Sequence, residues 1–160
     1  MLKINKATTG TAHPAYAIRL NNLAGLYRAL GRYDEAEPLY LEALEIDKAT
    51  IGTAHPDHAT RLNNLASLYQ HLGRYDKAEP LFLEALEIGK ATTGTAHPNY
   101  ATRLNNLALL YEVTARPEKA LPLIEQALTI LQTALGEAHP NTQTVTENRD
   151  RIAAKLSARD

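Results

Sequence analysis

The hexapeptide RLNNLA occurs three times, at residues 19–24, 61–66 and 103–108, with a constant interval of 42 residues. Around it, residues 13–54 and 55–96 align without a gap and differ at ten of 42 positions, and residues 97–138 follow the same frame more loosely. A period of this length is typical of a solenoid, whose stacked units together bury apolar faces that one unit cannot bury alone. The interval therefore predicts a repeat architecture.

Each unit has the pattern of two helices joined by a short turn. In the first segment of the first unit, apolar residues recur at helical spacing: Leu20, Leu23, Ala24, Tyr27 and Leu30. Pro14 suits a first helical position, where its missing N–H has no partner, and Gly31 suits a left-handed helix end. The second segment repeats the spacing at Ala36, Leu39, Tyr40, Ala43, Leu44 and Ile46, and Gly52 follows it. The predicted unit is a helical hairpin.

The amino-acid sequence of this hairpin resembles that of a known family. The string NNLAGLYRALGRYDEAEPLYLEALEI resembles a tetratricopeptide repeat, with signature residues at Tyr27, Gly31, Tyr33, Ala36 and Ala43. The 42-residue period and the His-Pro pair that opens each unit are similar to the longer variant found in kinesin light chains and many bacterial proteins. The resemblance covers nearly the whole chain. It implies an all-α fold, an α-solenoid in which antiparallel helix pairs stack into a right-handed superhelix.

The frame predicts one repeat domain with three full repeats, at 13–54, 55–96 and 97–138. Residues 2–14 match 44–56, so residues 1–12 are predicted to be the C-terminal half of a preceding repeat's second helix. That partial helix indicates a fragment of a longer array. Residues 139–160 begin like a fourth repeat but keep only a narrow apolar stripe of Val145, Ile152 and Leu156, so they are predicted to form a C-terminal capping helix.

The third repeat departs from the pattern at the turn between its helices. Ala115 stands where the first two repeats have glycine. Because alanine in a left-handed turn costs roughly 1 kcal/mol, we expect a turn of different shape there.

Composition narrows the class of protein. The chain has 160 residues, 44% apolar and 22% charged, a net charge of −1 and no cysteine. The apolar and charged fractions are ordinary for a globular protein. The near-zero net charge gives no indication of a basic face for nucleic acid, and without cysteine the chain cannot form a thiolate metal site. No apolar run reaches the ~20 residues that a membrane span needs, and the N-terminus lacks a signal peptide's apolar core. We expect a soluble, cytoplasmic protein whose partners include neither nucleic acid nor membrane.

The first helices of the three repeats differ mainly on one face. Four of the positions that differ are 18, 25, 28 and 29 of the first repeat and their equivalents. At ~100° per residue, positions 18, 25 and 29 fall within ~40° of one another, opposite the apolar stripe, and position 28 lies about 80° to the side. We call these positions the variable face: Ile18, Thr60, Thr102, Gly25, Ser67, Leu109, Arg28, Gln70, Glu112, Ala29, His71 and Val113. Pairs of asparagines flank it: Asn21, Asn22, Asn63, Asn64, Asn105 and Asn106.

The family resemblance implies a role for this face. First helices of tetratricopeptide arrays line a concave groove that binds partner peptides, and groove asparagines and arginines of kinesin-light-chain-like arrays contact an extended peptide. By position, that role passes to the asparagine pairs and to Arg28. Each amide offers two donors and an acceptor, enough to hold a peptide backbone of any sequence. The lysines with which some relatives clamp a C-terminal carboxylate are replaced here by asparagine, which argues against such a ligand.

The asparagines also have a purely structural interpretation, in which they bond across neighbouring first helices and hold the repeats in register. Four histidines recur once per unit, but they precede a proline at a helix start and would lie about 10 Å apart, beyond the ~2 Å ligand distances of one metal ion. They are assigned to the interhelix turns: His13, His55, His97 and His139. His71, on the variable face, could instead make contacts depend on pH.

Three tyrosines could pass for a base-stacking platform, but they belong to the apolar stripe and are predicted to be core: Tyr27, Tyr69 and Tyr111. No phosphate-binding loop, HExxH or G-x-S-x-G motif is present, so neither enzymatic activity nor a cofactor is expected. The predicted function is that of a scaffold for protein–protein interaction that holds an extended peptide in its groove. The alternatives are a homodimer formed through terminal repeats, a regulatory repeat domain of a larger protein, and a recently duplicated or engineered scaffold without a ligand.

Overall fold

The computed structural model of the chain describes residues 13–159, which form seven α-helices and no strand. The helices are α1 Pro14–Ala29, α2 Tyr33–Ala49, α3 Pro56–His71, α4 Tyr75–Thr92, α5 Pro98–Val113, α6 Pro117–Leu135 and α7 Pro140–Ser157. The predicted all-α fold of adjacent helix pairs is confirmed. The predicted partial helix at 1–12 lies outside the described residues.

The chain divides into two compact units, Met1–Ile88 and Gly89–Asp160. In the first unit α1 packs on α2, and α3 packs on both. In the second unit α5 packs on α6, and α7 packs on both. Each unit therefore places two first helices side by side, with a second helix packed against them. α7 takes the place of a first helix in the second unit.

A histidine ring caps the N-terminus of every first helix and of α7. In each case the ring Nδ1 accepts the backbone N–H two residues later, at 3.0 Å for His13, His55 and His97 and 3.1 Å for His139. The following proline occupies the start of the helix, where no N–H is needed. The four histidines were predicted in the turns, but their capping role was not predicted. The signal was a ring acceptor immediately before a helix-starting proline.

The turn after the first helix has the same shape in all three repeats, so the expected difference at Ala115 is wrong. Ala115 has φ of 61°, against 75° for Gly31 and 76° for Gly73. The next residue, Arg116, donates its N–H to Tyr111 O at 2.7 Å, and the corresponding bonds of the other turns are 2.8 Å. The Arg116 guanidinium also lies 4.6 Å from the centroid of the Tyr111 ring. These contacts hold the alanine in the left-handed conformation despite its local cost.

The two residue types at this turn provide a stability test. A Cβ at Gly73 would meet nothing within 4 Å, so Gly73→Ala is expected to lower the free energy of unfolding by about 1–2 kcal/mol through conformation alone. Ala115→Gly should raise it by about 0.5 kcal/mol, because relief of the left-handed strain exceeds the greater entropy of glycine in the unfolded chain. Urea unfolding followed by circular dichroism measures both. A loss of stability in Ala115→Gly would show that the alanine is not strained.

The apolar stripe of α2 is confirmed, since all six predicted residues are buried. On α1 Leu20 and Ala24 are fully buried, and Leu23 and Tyr27 are half-buried. Leu30 was predicted in the stripe but is 61% exposed, because α1 ends at Ala29 and the chain turns away there. Of the three tyrosines predicted to be core, Tyr69 and Tyr111 are buried, with 6% and 8% of their surface exposed. Tyr27, at the same position of the first repeat, is only half-buried.

The contact between α2 and α3 contains a buried ionic cluster. Asp47 on α2 is 0% exposed and accepts a hydrogen bond from Nη1 of Arg61 on α3. His58 Nδ1, also on α3, lies 3.2 Å from the other carboxylate oxygen. Because an ionised carboxylate only accepts, His58 Nδ1 must be the donor.

The capping helix depends on charge as well as on its short apolar stripe. Val145 and Ile152 are buried as predicted and Leu156 is half-buried. On the same helix Arg151 donates two hydrogen bonds to the Glu112 carboxylate, at 2.8 and 2.9 Å, and Lys155 lies 2.9 Å from it. α7 is therefore fixed to α5 by ion pairs beside the apolar contact.

Candidate functional site

No residue of the variable face is buried. Six are exposed: Ile18, Ala29, Thr60, His71, Thr102 and Val113. Six are half-buried: Gly25, Arg28, Ser67, Gln70, Leu109 and Glu112. The residues that vary between repeats therefore all keep some surface exposure, although the Glu112 side chain itself is only 8% exposed.

Two members of the face already have neighbours within their unit. The Glu112 side chain is 8% exposed, and its carboxylate binds Arg151 and Lys155. The hydrogen bond from Arg151 lowers the pKa of Glu112 most, burial raises it, and the hydrogen bond from Lys155 lowers it further, so the pKa lies below its ordinary value. The His71 ring lies 5.2 Å from that of Tyr33, measured between ring centroids, at a tilt of 47°. The charge of Glu112 therefore stabilises the packing of α7 on α5.

Asparagines bond across neighbouring first helices, as the structural interpretation predicted. In the first unit Asn64 Nδ2 on α3 donates to Asn21 Oδ1 on α1 at 3.2 Å. In the second unit Asn148 Nδ2 on α7 donates to Asn105 Oδ1 on α5 at 3.0 Å. Asn148 was not predicted, although it lies 42 residues after Asn106. Each amide keeps further donor and acceptor capacity, so a structural bond leaves room for a ligand.

The first unit contains a cleft of about 260 Å³ between α1 and α3. It is lined by Ile18, Asn21, Asp57, Thr60 and Arg61. Three of these were predicted as site residues from sequence, whereas Asp57 and Arg61 were not. Asp57 could have been found from sequence, because it is one of the ten differences between the first two repeats.

The second unit has a polar cleft of about 420 Å³ near the end of α6 and the start of α7. It is lined by Gln132, Glu137, Thr142, Gln143, Thr146 and Glu147. None of these residues was predicted. Among the described residues, no three His, Cys, Asp or Glu side chains come together in a way that could hold a metal ion.

Helical hairpins of 42-residue period, with a left-handed turn after each first helix and a cleft between first helices, define a helical-repeat interaction module. The family model for the tetratricopeptide repeat matches residues 2–49, 16–91 and 57–133. The chain therefore belongs to the tetratricopeptide repeat family, a non-catalytic scaffold fold whose repeats generally mediate protein–protein interactions.

Solved structures agree, and the kinesin-light-chain-like character is confirmed. BtubC (BKLC) from P. vanneervenii is 28% identical with a TM-score of 0.84, over 90% of this chain and 58% of BtubC. This chain thus spans little more than half of BtubC's length. A putative kinesin light chain of P. anserina with nearly identical TPR-like repeats is 26% identical with a TM-score of 0.81, over 99% of this chain and 75% of that one.

The first TPR of Spaghetti (RPAP3), solved with an HSP90 peptide, shares the fold at 19% identity and a TM-score of 0.66, over 88% of this chain and 93% of that one. A search of curated protein sequences gave no significant match. Within residues 13–159, no helix has the length and apolar character to cross a membrane.

Proposed function

We propose that this chain is an interaction module that holds an extended peptide segment of a partner protein against the first helices of its repeats. The observation that carries the proposal is the cleft of the first unit. Ile18 and Asn21 from α1 and Thr60 from α3 line one concavity. All three are also among the recognition residues that the sequence predicts.

The geometry supports a preformed site. The Asn64–Asn21 bond joins α3 to α1 beside the cleft, so the walls are held in register without a ligand. Preorganisation of this kind lowers the free energy that ordering the site would cost on binding. Amide groups not used in that bond can pair with a peptide backbone whatever its sequence. The ligand still loses conformational entropy, so affinity is expected to be modest.

Selection from a random linear peptide library displayed on phage tests this proposal. Selected peptides are then titrated into the ¹⁵N-labelled chain, and shifts are expected at the Asn21 and Asn64 side-chain amides and at the Thr60 backbone. Thr60→Arg should abolish binding, because the larger side chain fills the cleft.

A matched control is available for that substitution. Thr129 on α6 is an exposed threonine that, like Thr60, donates its hydroxyl to the carbonyl four residues earlier, at 3.1 Å compared with 3.2 Å. It does not line the cleft. Thr129→Arg should therefore leave binding unchanged. Failure to select any peptide, or equal effects of the two substitutions, would refute the proposed groove.

Self-association is a second candidate, and one observation favours it. Leu26 is 55% exposed, whereas the equivalent residues Leu68 and Leu110 are 0% exposed. The same apolar position is thus covered in two repeats and open in the first. A large exposed leucine on a repeat is a candidate contact for a second copy of the chain.

Light scattering over a range of protein concentrations tests this candidate. Self-association predicts a mass that rises with concentration, and Leu26→Glu should remove the rise by placing a charge in the apolar contact. A mass that remains monomeric throughout the range would reject the homodimer and leave the peptide-binding proposal unaffected.

A further inference from the structure

On the basis of the proposed peptide-binding function, we propose that the cleft between α1 and α3 is a specificity pocket for a lysine or arginine side chain of the bound peptide. The inference combines three observations on the first unit: the charge remaining in the cleft, the nature of its walls, and the restriction of its acidic residue to one repeat.

The charge remaining in the cleft is negative. Arg61 lines the cleft but is 5% exposed, and its guanidinium donates to the fully buried Asp47 carboxylate. Its positive charge is therefore compensated inside the protein. Asp57, by contrast, has a side chain that is 59% exposed. The carboxylate of Asp57 is the charge that a ligand meets.

The His55 ring, next to Asp57 at the start of α3, does not neutralise the Asp57 carboxylate. His55 Nδ1 lies 3.9 Å from Asp57 Oδ2. That nitrogen accepts the backbone N–H of Asp57 at 3.0 Å as the cap of α3, so it presents a lone pair and not a proton in this arrangement. A ligand cation would therefore meet little competition from His55.

The walls suit a long cationic side chain. Ile18, 45% exposed, offers an apolar surface for the methylene groups of lysine or arginine, whose charged head can remain near water. Thr60 Oγ1 donates its own proton to Pro56 O at 3.2 Å, so that proton is engaged within α3. The volume of about 260 Å³ is below the roughly 300–1,000 Å³ of sites for drug-sized molecules, which favours a single side chain.

The carboxylate occurs at this position in one repeat only. The residues at the same position of the other units are Ala15, Asn99 and Asn141, all uncharged. A basic residue of the peptide would therefore be recognised at one point along the array, which would fix the register in which the peptide lies. The asparagine of the later repeats is also nearly the same shape as aspartate, so Asp57→Asn removes the charge and little else.

Binding of the phage-selected peptides to the wild-type chain, Asp57→Asn and Asp34→Asn tests the inference by fluorescence anisotropy. Asp34 is the matched control, because it is also an exposed aspartate at the second position of its helix but does not line the cleft. Peptides selected on the wild type should be enriched in lysine or arginine at one position. Asp57→Asn should weaken their binding about three- to fivefold, in the range of an exposed ion pair. Asp34→Asn should bind as the wild type does.

Two further readouts separate charge recognition from a change of shape. Replacing the enriched basic residue of the peptide by glutamine should make the wild type and Asp57→Asn bind equally. The decrease of affinity with added salt should also be smaller for Asp57→Asn than for the wild type, because one ion pair has been removed. Thermal unfolding by circular dichroism confirms that each variant is folded.

The outcomes distinguish this inference from the function on which it rests. Peptides that bind without a basic preference, or with equal affinity to the wild type and Asp57→Asn, overturn the specificity pocket and leave the interaction module intact. Absence of any selected peptide overturns both.

Discussion

Asp47→Ala is expected to lower the free energy of unfolding by about 3–5 kcal/mol, the cost of breaking a buried ion pair from one side. Asp47 is 0% exposed and Arg61 is 5% exposed, so removal of the carboxylate leaves a buried guanidinium without its counter-charge. His58 loses its Nδ1 acceptor, 3.2 Å away, at the same time. Urea unfolding monitored by circular dichroism at neutral pH measures the loss.

The second unit provides a control for this cluster. The positions equivalent to Asp47, His58 and Arg61 hold an uncharged set, Leu131, Thr142 and Val145, all buried between α6 and α7. Buried ion pairs can often be replaced by well-packed apolar residues at little cost. The triple variant Asp47→Leu, His58→Thr, Arg61→Val should therefore recover most of the stability lost in Asp47→Ala. If both variants lose equally, packing and not charge determines the effect.

Glu112→Gln is expected to lower the free energy of unfolding by about 1–3 kcal/mol, mainly by loosening α7 from α5. Its carboxylate is 8% exposed and binds Arg151 at 2.8 and 2.9 Å and Lys155 at 2.9 Å. A neutral amide keeps at most part of these bonds. Hydrogen exchange of the α7 backbone amides should accelerate in the variant.

The same site predicts a dependence on pH. The Arg151 hydrogen bond, together with Lys155, holds the pKa of Glu112 below its ordinary value of 4.5. The folded state thus favours the ionised carboxylate, and this stabilisation is complete above pH 4.5 and lost as pH falls through the lower folded-state pKa. The difference in stability between wild type and Glu112→Gln should therefore shrink on acidification from pH 7 to below about 4.

Glu118→Gln is the matched control for the Glu112 experiments. Glu118 binds Arg159 at 3.0 Å, but its side chain is 52% exposed and that of Arg159 is 48% exposed. An exposed pair contributes little to stability, so this substitution should change the free energy of unfolding by less than about 1 kcal/mol. Equal losses in the two variants would contradict a special role for Glu112.

The repeats and their helices could be predicted from the sequence because they depend on interactions between residues close together in the chain. Prolines at helix starts and glycines at left-handed ends each act within a few residues, and together with the 42-residue interval they predicted the helices. Differences between the repeats selected Ile18 and Thr60 of the first cleft, and their role in recognition stays a prediction. The asparagine register was also foreseeable, since the interval brings equivalent positions of successive first helices together. Ala115 shows the limit of local rules, because the backbone hydrogen bond from Arg116 to Tyr111 and the contact of the Arg116 guanidinium with the Tyr111 ring overrode its conformational preference.

Tertiary structure alone decided which side chains meet across helices and which surfaces are covered. Leu26 and Leu68 occupy the same position of their repeats, yet one is 55% exposed and the other 0%, because burial depends on the neighbouring helices and not on the residue type. Asp47 joins Arg61 across 14 residues of chain, and this bond compensates the arginine beside Asp57. Asp47 and Asp57 are two of the ten positions at which the first two repeats differ, and together they set the charge of the cleft. Sequence spacing does not reveal this, because electrostatic compensation depends on distances in space.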